Sequence, residues 1–148
     1  MQNKNRGAAM VEFALVVPFF FMLMCSIIYG ALVMLDISDL NRLTRDAARY
    51  GAVESSGVND EEKRQNIIKY IASRNNALVV YKISDTQIEV KTDVDIKLDA
   101  DDATKTEKGI RVTVPAALKS DLPAFLFTDY LPDSMKTISS TTTMRRED

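Results

Sequence analysis

The chain has 148 residues, with 19 Lys plus Arg against 21 Asp plus Glu, a net charge of -2 and 46% hydrophobic residues. That length allows about one domain, the charge balance leaves no basic footprint for nucleic acid, and the lack of His removes the commonest general base and metal ligand at neutral pH. The one cysteine, Cys25, lies inside an apolar run, so no intramolecular disulfide can form and it reads as a small packing residue.

The N-terminus is short, polar and basic, MQNKNRG, and is followed by AAMVEFALVVPFFF. From Phe13 to Leu35 there are 23 residues without a charge. As a helix they extend about 35 Å, enough to cross a hydrocarbon core of about 30 Å. The run exceeds the roughly 7 to 15 apolar residues of a secretory signal, and the small pair Gly30-Ala31 follows Ile28 and Tyr29, which spoils a cleavage site. Met24 directly before Cys25 argues against lipidation. Lys4 and Arg6 precede the run, and Arg42, Arg45 and Arg49 follow it, so charge counting leaves the orientation open. Pro18 removes one helical hydrogen bond and is expected to kink the span near Ala14 as a structural feature. Glu12 stands out, because a carboxylate in hydrocarbon costs roughly 2.5 to 3.5 kcal/mol. Either it has a partner, or it faces water at headgroup level about 6 Å of helix from Ala8.

Past Leu35 the apolar positions Ile37, Leu40, Leu43, Ala47 and Tyr50 or Gly51 recur every three or four residues, so the span is expected to continue as one helix to about Val53. Asp39, Arg42, Asp46 and Arg49 are spaced for helical ion pairs. ESSGVND, residues 54–60, has the composition of a turn, with Asp60 as the cap of a second helix over Glu61–Asn75. Ile67, Ile68, Ile71 and Ala72 form its buried face, Lys63 and Arg64 a solvated one, and Asn75-Asn76 its stop. Thr86–Leu98 alternates, with Ile88, Val90, Thr92, Val94, Ile96 and Leu98 on one face. Residues 110–114 and 137–144 read as further strands, and Leu78–Ile83 as a fourth. The expected fold class is α+β, a small antiparallel sheet packed against helix. In the acidic loop 99–109, Asp99 and Asp101 suit a calcium loop, but Ala103, Thr104 and Ile110 do not, which favours a plain hairpin loop. The segment 122–132, apolar and bracketed by prolines, is expected to cover the core. Ser55, Ser56 and Asp60 find no base to form a nucleophilic pair, so no enzyme, cofactor or metal centre is expected.

The N-terminal pattern is far more specific. RGAAMVEFALVVPFFFMLMCSIIYG, followed by LTRDAARYGAV, resembles the N-terminal region of TadE/TadF-type pseudopilins of the tight-adherence (Tad/Flp) pilus system. The resemblance rests on Gly7, the Glu12-Phe13 pair, Pro18, and the Ala47, Ala48, Arg49, Tyr50, Gly51 cluster. It implies that a prepilin peptidase cuts between Gly7 and Ala8, making Glu12 the fifth residue of the mature chain, with Phe13 beside it in assembly. It also implies a leader over 1–7, a transmembrane helix over 8–35, its extracytoplasmic continuation over 36–53, and a small α+β domain over 54–148. The protein would be a single-pass component of the bacterial inner membrane, partnered by the peptidase, other pilin-like subunits and the assembly machinery, and not by nucleic acid. The Glu12 carboxylate would face the new Ala8 ammonium of a neighbouring subunit, and at about 4 Å with an effective dielectric near 20 the attraction is about 4 kcal/mol before desolvation. Type II secretion pseudopilins share the motif, and a single-pass membrane protein with a binding ectodomain is the other alternative.

Overall fold

The computed structural model describes residues 3–53, 59–74, 78–84, 87–97, 106–122 and 131–146. Seven elements follow in order: α1 (Asn3–Val53), α2 (Asp60–Ala72), β1 (Tyr81–Ile83), β2 (Glu89–Lys97), β3 (Thr106–Leu118), α3 (Asp133–Lys136) and β4 (Thr137–Arg145). The expected α+β architecture is present, a long N-terminal apolar helix followed by a four-stranded antiparallel sheet. Residues 54–58 of the turn, the Asn75-Asn76 stop, residues 99–105 of the acidic loop and residues 123–130 of the apolar segment lie outside the described residues.

β3 is the spine of the sheet. β1 pairs with its C-terminal end, Tyr81 opposite Leu118, and β2 with its N-terminal two thirds, Val90 opposite Val112. β4 covers the other edge, Val114 opposite Ser140. Alternate residues of β3, namely Ile110, Val112, Val114 and Ala116, point to one face and are buried there. α1 lies across that face, because its second half carries a stripe of buried residues at helical spacing: Leu40, Leu43, Thr44, Ala47, Ala48 and Ala52. The two run antiparallel: Asp36 bonds beside Leu118, Asn41 bonds Ser140 opposite Val114, and Gly51 lies near Ile110.

Small residues set how close the layers come. A Cβ on Gly51 would stand 2.5 Å from Cδ1 of Ile67, so the glycine is the notch into which α2 presses. Ile67 and Ile71 are fully buried there, each contributing roughly 1.5 to 3 kcal/mol by leaving water. One turn along, the Tyr50 and Tyr70 rings stack at 5.3 Å between centroids, with the Arg74 guanidinium 5.0 Å above Tyr70.

Five expectations need correction. α2 starts one residue early, so Asp60 is its first residue and Asn59 takes the cap position; Asp60 instead adds its carboxylate to those of Glu61 and Glu62 in the first turn, where the helix dipole favours negative charge. α2 also ends at Ala72 rather than Asn75. Lys63 is buried rather than solvated, because it falls four residues before Ile67 on the same side of the helix. The alternation in β2 does not keep one face. An extra residue between Lys91 and Val94 makes a bulge, since Lys91 faces Arg111 while Val94 faces Gly109. Cross-strand partners share a face, so Val94 and Ile96 are carried to the side opposite Val90, away from α1. Ile96 finds cover there in the space above Gly109, which a Cβ would fill. Finally, the ion pairs recorded among the described residues lie on the sheet and α3, at Lys91, Lys108, Arg145 and Lys136, and not between the Asp and Arg residues of α1.

Candidate functional site

The four residues singled out by the sequence, Gly7, Ala8, Glu12 and Phe13, all lie on the free N-terminal half of α1. The helix is long and apolar enough there to cross a membrane, and none of its most apolar stretch is buried by the rest of the chain. Ala8 and Glu12 are four residues apart on one face, about 6 Å along the axis. Phe13 is 72% exposed, and Met10, Val11, Leu15 and Val16 beside it are exposed too. Nothing lies within 4 Å of the position a Gly7 Cβ would take. Among the described residues Glu12 makes no ion pair with the folded domain. α1 continues through Pro18 as helix, which membrane helices tolerate.

A second constellation, at the other end of the apolar run, was not foreseen. Asp36, the first charge after Leu35, has no exposed surface. Its Oδ1 accepts the backbone N–H of Val79 at 2.8 Å, and its Oδ2 accepts those of Val80 at 2.7 Å and Tyr81 at 2.8 Å. Three amides at the entrance to β1 thus wrap one carboxylate of α1, which gives a buried charge the partners it requires. Lys119 reinforces the turn by donating from Nζ to the Leu78 carbonyl at 2.7 Å.

Tyr81 extends this junction toward the apolar run. Its hydroxyl donates to the Met135 carbonyl at 2.7 Å, and the Tyr29 phenol lies beside it. Burial, then the neighbouring Tyr29 and the Asp36 carboxylate, push the Tyr81 hydroxyl above the usual tyrosine range. Tyr29, Leu32 and Val33 are half-buried against the core, so the folded domain reaches back along α1 beyond Asp36. The signal for Asp36 was present in the sequence: it stands four residues before Leu40, in phase with the buried stripe, where Ile37 was read as its first member.

Among the described residues no group of three His, Cys, Asp or Glu is placed to hold a metal ion. The arrangement is that of a free apolar half-helix and a domain fastened to the rest of the same helix. Residues 7–49 match the family described as TadE-like protein, a span that begins at Gly7 and ends within the buried stripe. The match covers 43 of the 148 residues. No curated protein and no solved structure matches the chain.

Proposed function

We propose that this chain, whose α1 is TadE-like from Gly7 to Arg49, is a minor pseudopilin of Tad/Flp pilus assembly. A prepilin peptidase cuts between Gly7 and Ala8, residues 8–35 hold the product in the inner membrane, and the remaining α+β domain lies outside the cytoplasm. Assembly proceeds by packing of the exposed apolar half of α1 against other pilin-like helices, with Phe13 in the contact and Glu12 facing the Ala8 ammonium of a neighbour. The reading is carried by one coincidence: the family match opens at Gly7, where the leader ends, and the apolar half of α1 that follows is left uncovered by its own domain. Chemistry favours the pairing, since a new α-amino group has a pKa near 8 and is mostly charged at pH 7. The protein's contribution is to template contacts and not to turn over a substrate.

The test is the N-terminal sequence and intact mass of the membrane-extracted protein from cells with and without the peptidase. A start at Ala8 that disappears without the enzyme is expected. A start at Met1 in both would leave a single-pass anchor with a binding ectodomain, and the pilus reading would be dropped.

A further inference from the structure

The apolar run and the folded domain occupy the same stretch of α1. Tyr29, Leu32 and Val33 are packed against the domain core, while on the other side of the helix Ile28, Met34 and Leu35 remain exposed, Met34 at 69% and Leu35 at 57%. From Glu12 to Tyr29 is 17 residues, about 26 Å of helix against a hydrocarbon core of about 30 Å. With Glu12 at one headgroup boundary, the opposite boundary therefore falls about three residues past Tyr29, near Leu32, and a tilt of about 20° moves it further still. At that height the outer side of α1 is apolar and bare, and the inner side carries the lower end of the domain.

What occupies that lower end is fixed by contacts. Tyr81, which neighbours Tyr29, donates its hydroxyl to the Met135 carbonyl, so Met135, with its side chain 55% exposed, belongs to this end of the domain. Val79, 51% exposed, belongs to the amide turn that wraps Asp36, four residues past Leu32. We infer that this end of the domain is seated in the headgroup layer of the bilayer, with Leu32 at the hydrocarbon boundary and the Val79 and Met135 side chains inserted among lipid headgroups. The inference rests on the reading of α1 as a membrane anchor. It follows from a conflict of lengths: a domain held clear of lipid would leave Ile28, Met34 and Leu35 in water. It also explains why a carboxylate directly after the apolar run is sealed by three amides. A buried carboxylate this near hydrocarbon requires hydrogen-bond partners, and the three amides supply them.

The experiment is depth measurement on the full chain in vesicles of phosphatidylethanolamine and phosphatidylglycerol at low protein density. Cys25→Ser removes the native thiol, and a nitroxide is then attached singly at Phe21→Cys, Val79→Cys, Met135→Cys or Lys97→Cys. Lys97 lies at the far end of β2, opposite Thr106, and serves as the water reference. Both test positions carry exposed side chains and make their recorded hydrogen bonds through the backbone, so labelling leaves the fold intact. The expected result is that Phe21 reads as hydrocarbon, and that collision with a water-soluble nickel chelate at 79 and 135 falls several-fold below that at 97. Equal nickel access at 79, 135 and 97, with Phe21 still protected, overturns the seating and leaves the anchor standing. Protection at 79 and 135 that vanishes on dilution into more lipid overturns it too, because a second protein copy would then be the cover. Nickel access at Phe21 itself removes the anchor, and the seating with it.

Discussion

Removing the Asp36 carboxylate is expected to detach the first strand from the helix. Asp36→Ala leaves three amide N–H groups without an acceptor, and those of Val80 and Tyr81 are buried. At about 1 to 3 kcal/mol for each buried donor left unpaired, the loss is about 2 to 6 kcal/mol, with the Val79 amide, part-buried, adding less because water can reach it. Against a total stability of roughly 5 to 15 kcal/mol for a domain of this size, that is a large share. Asp36→Asn should lie between: its one oxygen can keep the two bonds now made to Oδ2, while its amide nitrogen meets the Val79 N–H, for a loss of about 1 to 2 kcal/mol. The assay is hydrogen exchange of the Val80 and Tyr81 amides in the full chain in detergent micelles, alongside urea unfolding followed by tyrosine circular dichroism. Protected amides and an unfolding free energy within about 0.5 kcal/mol of wild type in Asp36→Ala would refute the account.

Other outcomes are expected from the same structure. Gly109→Ala places a Cβ against Ile96 and 2.7 Å from the Met144 carbonyl oxygen, and because the second neighbour is backbone, trimming Ile96 should not rescue it; urea unfolding should show a loss of about 1 to 3 kcal/mol. Tyr81→Phe removes the bond to the Met135 carbonyl and should cost about 1 kcal/mol in the same assay. In the wild type the Tyr81 hydroxyl titrates above an ordinary tyrosine, so its contribution is fully present below about pH 10 and is lost as pH rises through the raised folded value; the late part of the phenolate absorbance titration should shrink in Tyr81→Phe. Glu12→Ala is expected to stay in the membrane and be cut after Gly7, yet fail to join the assembly, which a pull-down of pilin-like subunits from wild-type and variant cells would show; normal assembly would sink the pairing.

The parts of the molecule that depend on period were legible. The helix through Val53, the second helix and the strands around 81–83, 89–97, 110–114 and 137–145 follow from apolar residues at spacings of three, four or two. The N-terminal motif was legible for a different reason, since Gly7, Glu12 and Phe13 form a local pattern that needs no tertiary context. What escaped depends on partners far along the chain. Asp36 reads as a solvated charge until residues 79–81 bring their amides to it from 43 to 45 positions away. Lys63 reads as surface until its place on the buried side of α2 is known. The bulge in β2 is invisible because the sequence alternates perfectly through it; only the pairing with Arg111 and Gly109 shows one residue too many.

On the proposed reading of α1 as a membrane anchor, this helix, unbroken from Asn3 to Val53, carries the bilayer segment and the backbone of the domain as one rod. Pro18 removes a hydrogen bond low in that rod and makes it the natural pivot. From Pro18 to Val53 the helix is about 53 Å long, so a swing of about 10° carries its tip sideways by about 9 Å. Because the Asp36 cradle and the Gly51 notch bind the sheet to the rod at two heights, the whole domain travels with it. A thicker bilayer stands the rod upright and a thinner one leans it over. Membrane thickness thereby becomes a mechanical input that this lever converts into the lateral reach of the domain.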